Sequence, residues 1–271
     1  MINMPETPAN SELLCQLPKV LRARDFHLYL EGGKRLTDLW LHGGRAILGH
    51  KPPGVLKEMK NAGERGLFSP LPHPAEKRFI KALEVFFPGR VFRIYPDEKS
   101  LYSALDKIGN PDFFLWRPFL ETKAETPIIV PVLPWPLGPA VLVLEKGIET
   151  SFPPGEIIPP VLLAPATRAL YNLAAEFKAS PPGKKKIGRG KLRYTRIEKA
   201  LKESIWSREG IYLRCKADAE DYAAMFKVFL EGGFLIPPSM AEPAILPGFM
   251  SQGEEEKLAE LLNSSGKKIS P

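Results

Sequence analysis

The sequence predicts an α/β protein, and three observations carry that reading. From Val91 onward, short apolar runs of strand length alternate with helical stretches, the pattern of a layered sheet. Ahead of them, FHLYLEGGKRLTDLW (26–40) places two alternating or aromatic-rich runs around Gly32-Gly33, as a β-hairpin does. Behind them, residues 191–271 run helix, strand, helix, strand, helix, which predicts a small α+β unit. With 271 residues, 44% hydrophobic and 10% aromatic, the chain can pack one sizeable domain or two modest ones.

After the hairpin, PGVLKEMKNAGERG (53–66) predicts a short helix with proline near its start and Gly66 past its end. HPAEKRFIKALEVFFPG (73–89) predicts a second, amphipathic helix, with Phe79, Ile80, Leu83 and Phe86 or Phe87 on one face and Pro88-Gly89 as its stop. RVFRIY, the helix KSLYSALDKIG, DFFLW, PIIVPVL, AVLVLE and IIPPVLL then predict a mostly parallel sheet of about four or five buried strands. PATRALYNLAAEFKA (165–179) is a helix. The last unit contains a helix over 195–204, the strand GIYLRCKA, the helix DAEDYAAMFKVFLEGG, the strand FLIPP and the helix SQGEEEKLAELLNSSG, which Ser251 and Glu254 open as a capping box. The 29 prolines, about twice ordinary usage, gather in connections such as PVLPWPLGP (131–139).

The net charge of +7 comes from one place. Between Lys178 and Lys202 stand ten Lys and Arg against the single acid Glu198. Its Pro-Pro-Gly start and its glycines predict a solvated linker rather than a phosphate or nucleic-acid site; no aromatic residues alternate with the basic ones of segment 184–202, and Gly190-Lys191 lacks the P-loop frame. No apolar run reaches the roughly 20 residues of a membrane span, and the N-terminal residues lack the pattern of a signal peptide, so a soluble, cytoplasmic protein is expected. Cys15 and Cys215 have no ligand-spaced partner and are expected to be ordinary thiols.

Three stretches together carry a resemblance: YLEGGKRLTDLWLHGGRAILGHKPPGVLKEM (29–59), PAEKRFIKALEVFFPGRVFRIYPDEKSLYSAL (74–105) and EGGFLIPPSMAEPAILPGFMSQGEEEKLAELL (231–262). They resemble the opening, the approach to the phosphate-binding turn and the C-terminal end of class III aminotransferases, in the fold-type I pyridoxal-phosphate (PLP) superfamily. The resemblance implies a truncated PLP-dependent transferase-like fold, with a reduced sheet and an α+β small domain built from both termini. The expected parts are residues 1–74 packing with the small domain, a reduced large domain over 75–190 and the small domain over 191–271. It also implies a homodimer.

The resemblance implies four chemical features, and the aligned residues lack each. The phosphate cup should be a turn of small residues opening a helix, whose N–H groups meet the anion. Here Pro96 removes a donor, and Asp97 and Glu98, followed by Lys99 and Ser100, suit a helix N-terminus but repel phosphate. The acid for the pyridine nitrogen should end a middle strand, where Trp116-Arg117-Pro118 stands; Arg117 is expected at the surface. The Schiff-base lysine should precede a Pro-x-Gly-Ala-like step, which Pro136-Leu137-Gly138-Pro139-Ala140 resembles, but Pro131, Val132, Leu133 and Pro134 stand upstream of it. Lys123 and Lys146 flank this segment and are the only weak candidates for a relocated amine. The loop that should carry a carboxylate-binding arginine, Met240 to Pro247, contains no basic residue.

His42 and His50 flank the glycine segment, where the resemblance implies a structural role for Gly-His rather than a metal site. Trp116 and Trp135 are expected in the core or an interface. The expectation is thus an aminotransferase-like protein without PLP or metal, noncatalytic, with a ligand or partner protein in the former active-site cleft. The alternative is a PLP enzyme with a relocated lysine.

Overall fold

Leu28 and Leu36 face each other across the first hairpin, in which β2 (His27–Leu30) and β3 (Arg35–Asp38) pair antiparallel. In this computed structural model, which describes residues 12–120, 126–179 and 194–265, Gly32 and Gly33 both take φ near +80° in the connecting turn, a conformation that costs an L side chain but not glycine. Two neighbours extend the hairpin. β1 (Val20–Arg24) pairs antiparallel with β2 and is exposed, and β10 (Phe234–Leu235) adds parallel to β3 through Phe234 opposite Thr37 and Leu235 opposite Asp38. One sheet is therefore assembled from both ends of the chain.

The described residues fall into two units: those up to His50 together with those from Tyr194 on, and those from Lys51 to Ala179. The division between them falls at 50/51, because α1 (Val55–Glu64) packs along α4 (Pro160–Ala179) within the second unit.

In the first unit, α5 (Thr195–Ala200) leads to the hairpin of β8 (Trp206–Glu209) and β9 (Tyr212–Cys215), then α6 (Ala219–Gly232), β10, β11 (Ala244–Ile245) and α7 (Gln252–Ser264). The sequence reading missed β8, whose polar Ser-Arg-Glu run gives little strand signal, and the short β11. Asp218 caps α6 by accepting from the Asp221 N–H, and Gly233 closes it at φ +93°. Ser251 and Glu254 form the expected capping box on α7. Tyr212, Phe226, Phe229 and Phe234 are fully buried.

The second unit holds a four-stranded sheet in the order β4-β7-β6-β5, from β4 (Val91–Tyr95), β5 (Phe114–Trp116), β6 (Ile128–Pro131) and β7 (Ala140–Leu144). The α/β class and the reduced size agree with expectation. The sheet is mixed rather than mostly parallel: only β5 and β6 pair in parallel, while β7 runs antiparallel to both β6 and β4. The connection from β6 to β7 spans only residues 132–139, too short for the dozen or more residues of a parallel crossover.

Leu101, Ala104 and Leu105 of α3 (Glu98–Asp106) pack with Ile128, Val130, Leu142 and Leu144. Near the end of α2 (Ala75–Glu84), Phe86 and Phe87 meet Trp116 of β5 at 5.7 and 5.1 Å, and Phe177 of α4 stacks on the same indole. The run IIPPVLL is no strand, because α4 begins at Pro160 and carries Pro165 inside. An apolar run of this length fits a buried helix as well as a strand, and proline at a helix start loses nothing.

Beyond β4, residues 153–156 lie along the free edge of the sheet. The Glu156 N–H donates to Ile94 O at 2.7 Å, the Tyr95 hydroxyl donates to Pro153 O, and a Cβ on Gly155 would come within 2.8 Å of the Ile94 nitrogen. Among the described residues, no helix is long and apolar enough to cross a membrane.

Candidate functional site

Because β4 and β6 both run opposite to β7, and β5 runs with β6, the C-terminal ends of β4, β5 and β6 share one edge of the sheet. In open α/β sheets this edge is where ligands bind. It gathers three of the segments singled out in the sequence: the turn 96–100 after β4, Trp116-Arg117 at the end of β5, and 132–139 after β6.

At the first segment Asp97 has extended backbone, φ −154° and ψ 175°, and is the N-cap of α3. Its Oδ1 accepts the Ser100 N–H at 2.7 Å, so a carboxylate of the chain satisfies an N–H that the helix leaves unpaired. Glu98 adds a second acid in the same turn, and Lys99 follows it.

At the second segment, Arg117 is buried, with 8% of its surface exposed, which corrects the surface position expected for it. It directly follows Trp116, whose carbonyl accepts the Val132 N–H. A guanidinium tolerates such burial better than an ammonium because it is more weakly hydrated. Arg117 is engaged by neighbouring groups.

At the third, Pro131, Val132, Leu133 and Pro134 are all buried. Trp135 follows, half-buried, with its indole Nε1 enclosed and without a hydrogen-bond partner among the described residues. Gly138 brings the chain back past Trp135 and against Ala166 of α4.

Lys146 belongs to the opposite edge. It follows β7 in an exposed turn, beyond the pairing of Leu144 with Val91, while the Tyr95–Ala140 pair marks the strand-end edge. About 13 Å of strand, at roughly 3.3 Å per residue, separates the two edges. Lys123 lies outside the described residues.

The first unit holds the other predicted positions. Asp38, only 2% exposed, accepts the N–H groups of Trp40 and Leu41 on Oδ1 at 2.9 Å each, and Oδ2 lies 3.0 Å from His50 Nε2. The His50 N–H donates to Asp25 O at 2.7 Å, and Gly49, at φ +85°, lies so close that an added Cβ would meet that same oxygen at 2.9 Å. The Gly-His step thus fastens a turn. Between these anchors Leu41, His42, Gly43 and Gly44 all have positive φ.

In the loop where the resemblance implied an arginine, Glu242 accepts the Trp40 Nε1–H at 2.7 Å and lies against Gly43. Among the described residues, no group of three or more His, Cys, Asp or Glu could hold a metal ion. Burial pushes the half-buried Cys215 thiol up, away from the reactive thiolate.

Sequence reasoning missed one polar cluster apart from its capping box. Glu254 Oε1 receives His27 Nε2 at 2.7 Å, the Arg35 guanidinium at 3.1 Å and the Thr37 hydroxyl at 3.1 Å, while Oε2 receives the Ser251 N–H and hydroxyl. Burial pushes this carboxyl up, but the bonds from Ser251 and His27 outweigh it and hold Glu254 down at about 2. The spacing of Ser251 and Glu254 was the only local signal, since the other partners come from β2 and β3.

Comparison with known proteins places this architecture. No family model matches the sequence. Two relatives of unassigned function, from Treponema pallidum and Borreliella burgdorferi, are each 26% identical to it, over 88% and 92% of this chain and 91% of theirs. Among solved structures, the ornithine aminotransferase of Toxoplasma gondii superposes with a TM-score of 0.69 at 10% identity, covering 92% of this chain and 90% of that one. An omega-transaminase from Sphaerobacter thermophilus gives 0.65 at 12% identity, over 92% and 91%. Plasmodium falciparum ornithine delta-aminotransferase gives 0.63 at 11%, over 98% and 95%. The chain therefore has the fold of the class III aminotransferases, in reduced form.

Proposed function

We propose that this protein is an aminotransferase-fold chain that has lost PLP-dependent catalysis and works as a noncatalytic binding or regulatory protein. The observation that carries this reading is the end of β6. Where the resemblance implies the Schiff-base lysine, the chain supplies the buried apolar run Pro131–Pro134, and Lys146 lies at the far edge of the sheet.

The other groups at the strand-end edge are mismatched to the cofactor in the same direction. A pyridinium nitrogen needs an acid, and the end of β5 offers the Arg117 cation; a phosphate needs free N–H groups, and Asp97 holds that of Ser100. Fold is conserved more readily than the site grafted on it, so an emptied site on an intact scaffold is physically reasonable. The reading includes a homodimer, a cytoplasmic location, and a small ligand or partner protein at this edge; nucleic acid is not its partner.

The test is spectroscopic. The purified protein is incubated with PLP, its near-ultraviolet and violet absorbance recorded, and the sample reduced with borohydride and mapped by mass spectrometry. A colourless protein with no reduced adduct is expected. A yellow species reduced specifically onto one lysine, Lys123 included, would overturn the proposal and make this an enzyme with a moved Schiff base.

A further inference from the structure

We infer that the strand-end edge of the second unit disfavours phosphorylated ligands because the chain caps the helix that opens after β4 with its own carboxylate. This deepens the noncatalytic reading by naming the ligand class the edge refuses. It rests on that reading only for the choice of edge.

Among the described residues, the N-terminus of α3 is the helix start that directly follows a strand of this sheet at its C-terminal end. Helix N-termini attract anions through unpaired N–H groups and a partial positive charge. Three features oppose a further anion there. Pro96 brings no N–H to the turn. Asp97 Oδ1 takes the Ser100 N–H at 2.7 Å, the short distance of a charge-assisted bond. Glu98 places a second negative charge in the first turn.

An incoming phosphate would have to displace a carboxylate tethered to the same turn, whose effective concentration is far above that of any free solute. It would then lie beside Glu98. Replacing Asp97 by glycine removes both the competing oxygen and one charge, and glycine is tolerated at a helix N-cap. Asparagine at the same position keeps the side-chain oxygen on the Ser100 N–H while removing the charge, and so separates occupancy from repulsion.

The probes are inorganic phosphate and pyridoxine 5′-phosphate, with pyridoxine as the dephosphorylated control, titrated calorimetrically against wild type, Asp97→Gly and Asp97→Asn. Because pyridoxine 5′-phosphate has no aldehyde, it cannot form a lysine adduct, and its binding is scored separately from Schiff-base formation. Wild type and Asp97→Asn are expected to show no saturable phosphate-dependent binding. Asp97→Gly should acquire saturable binding of both phosphates, and that binding should weaken as salt rises. Saturable binding of either phosphate by wild type would overturn the inference, whatever the variants do. So would an Asp97→Gly that unfolds with wild-type cooperativity and gains nothing, or an Asp97→Asn that gains as much as Asp97→Gly.

Discussion

Glu254 and His27, 227 residues apart in sequence, meet at 2.7 Å, and this contact ties the first turn of the last helix to the second strand. Glu254→Gln keeps the shape but loses the charge that His27, Arg35 and Ser251 all address. A loss of about 1–3 kcal/mol is expected, measured by urea unfolding at neutral pH. A variant as stable as wild type would mean that the cluster only decorates the surface.

The same carboxylate sets an acid dependence. Its folded value is held at about 2, below the unfolded value of about 4.3. Its contribution is therefore complete above about pH 4.3 and fades as pH falls through about 2. Unfolding curves across that window should be steeper in pH for wild type than for Glu254→Gln; parallel curves would show that other groups carry the acid limb.

Asp38→Ala strands the N–H groups of Trp40 and Leu41 and the ring of His50 together, so a cost of about 3 kcal/mol is expected. His50→Ala removes one partner of the three and should cost roughly half as much. Thermal unfolding of both variants checks the order, and a larger effect at His50 would refute the view that Asp38 organises the turn.

Gly49 and Gly66 separate backbone strain from collision. Both have positive φ, but a Cβ at Gly66 meets nothing within 4 Å, whereas at Gly49 it meets the Asp25 oxygen at 2.9 Å. Gly66→Ala should cost about 1 kcal/mol, and Gly49→Ala clearly more because backbone must move. Equal losses by chemical denaturation would contradict the close approach.

Trp116 and Trp135 should respond very differently to substitution. Trp116 is buried against Phe86, Phe87 and Phe177, so Trp116→Ala should cost about 3–5 kcal/mol. The indole N–H of Trp135 is enclosed without a partner among the described residues, so Trp135→Phe gives up no hydrogen bond and should stay within about 1 kcal/mol of wild type. A large loss at Trp135 would reveal a bonded indole.

Much of this architecture was legible because it is locally encoded. The Gly32-Gly33 hairpin, the amphipathic α2 and the Ser251–Glu254 cap all declare themselves within a few residues. Strand direction is not local: it depends on the order in which β4 to β7 assemble, and only the length of the 132–139 connection hinted that β7 runs against β6. The start of α4 was misplaced because IIPPVLL is apolar all round and carries no period. At the candidate site, the acidic start of α3 could be read from Asp97 and Glu98, whereas the burial of Arg117 is a tertiary property that no spacing within the chain records.

The close passage of Gly155 beside Ile94 has a consequence for self-association. A strand edge left bare is a template on which another chain can grow. Here the β4 side is already occupied by the protein's own backbone, so any recruitment of a further strand would be one-sided, through β5. Such growth requires a heterologous contact between unlike edges or a paired meeting of β5 with β5, and the latter closes after two chains. The tucked segment thereby takes the β4 edge of this sheet out of strand recruitment.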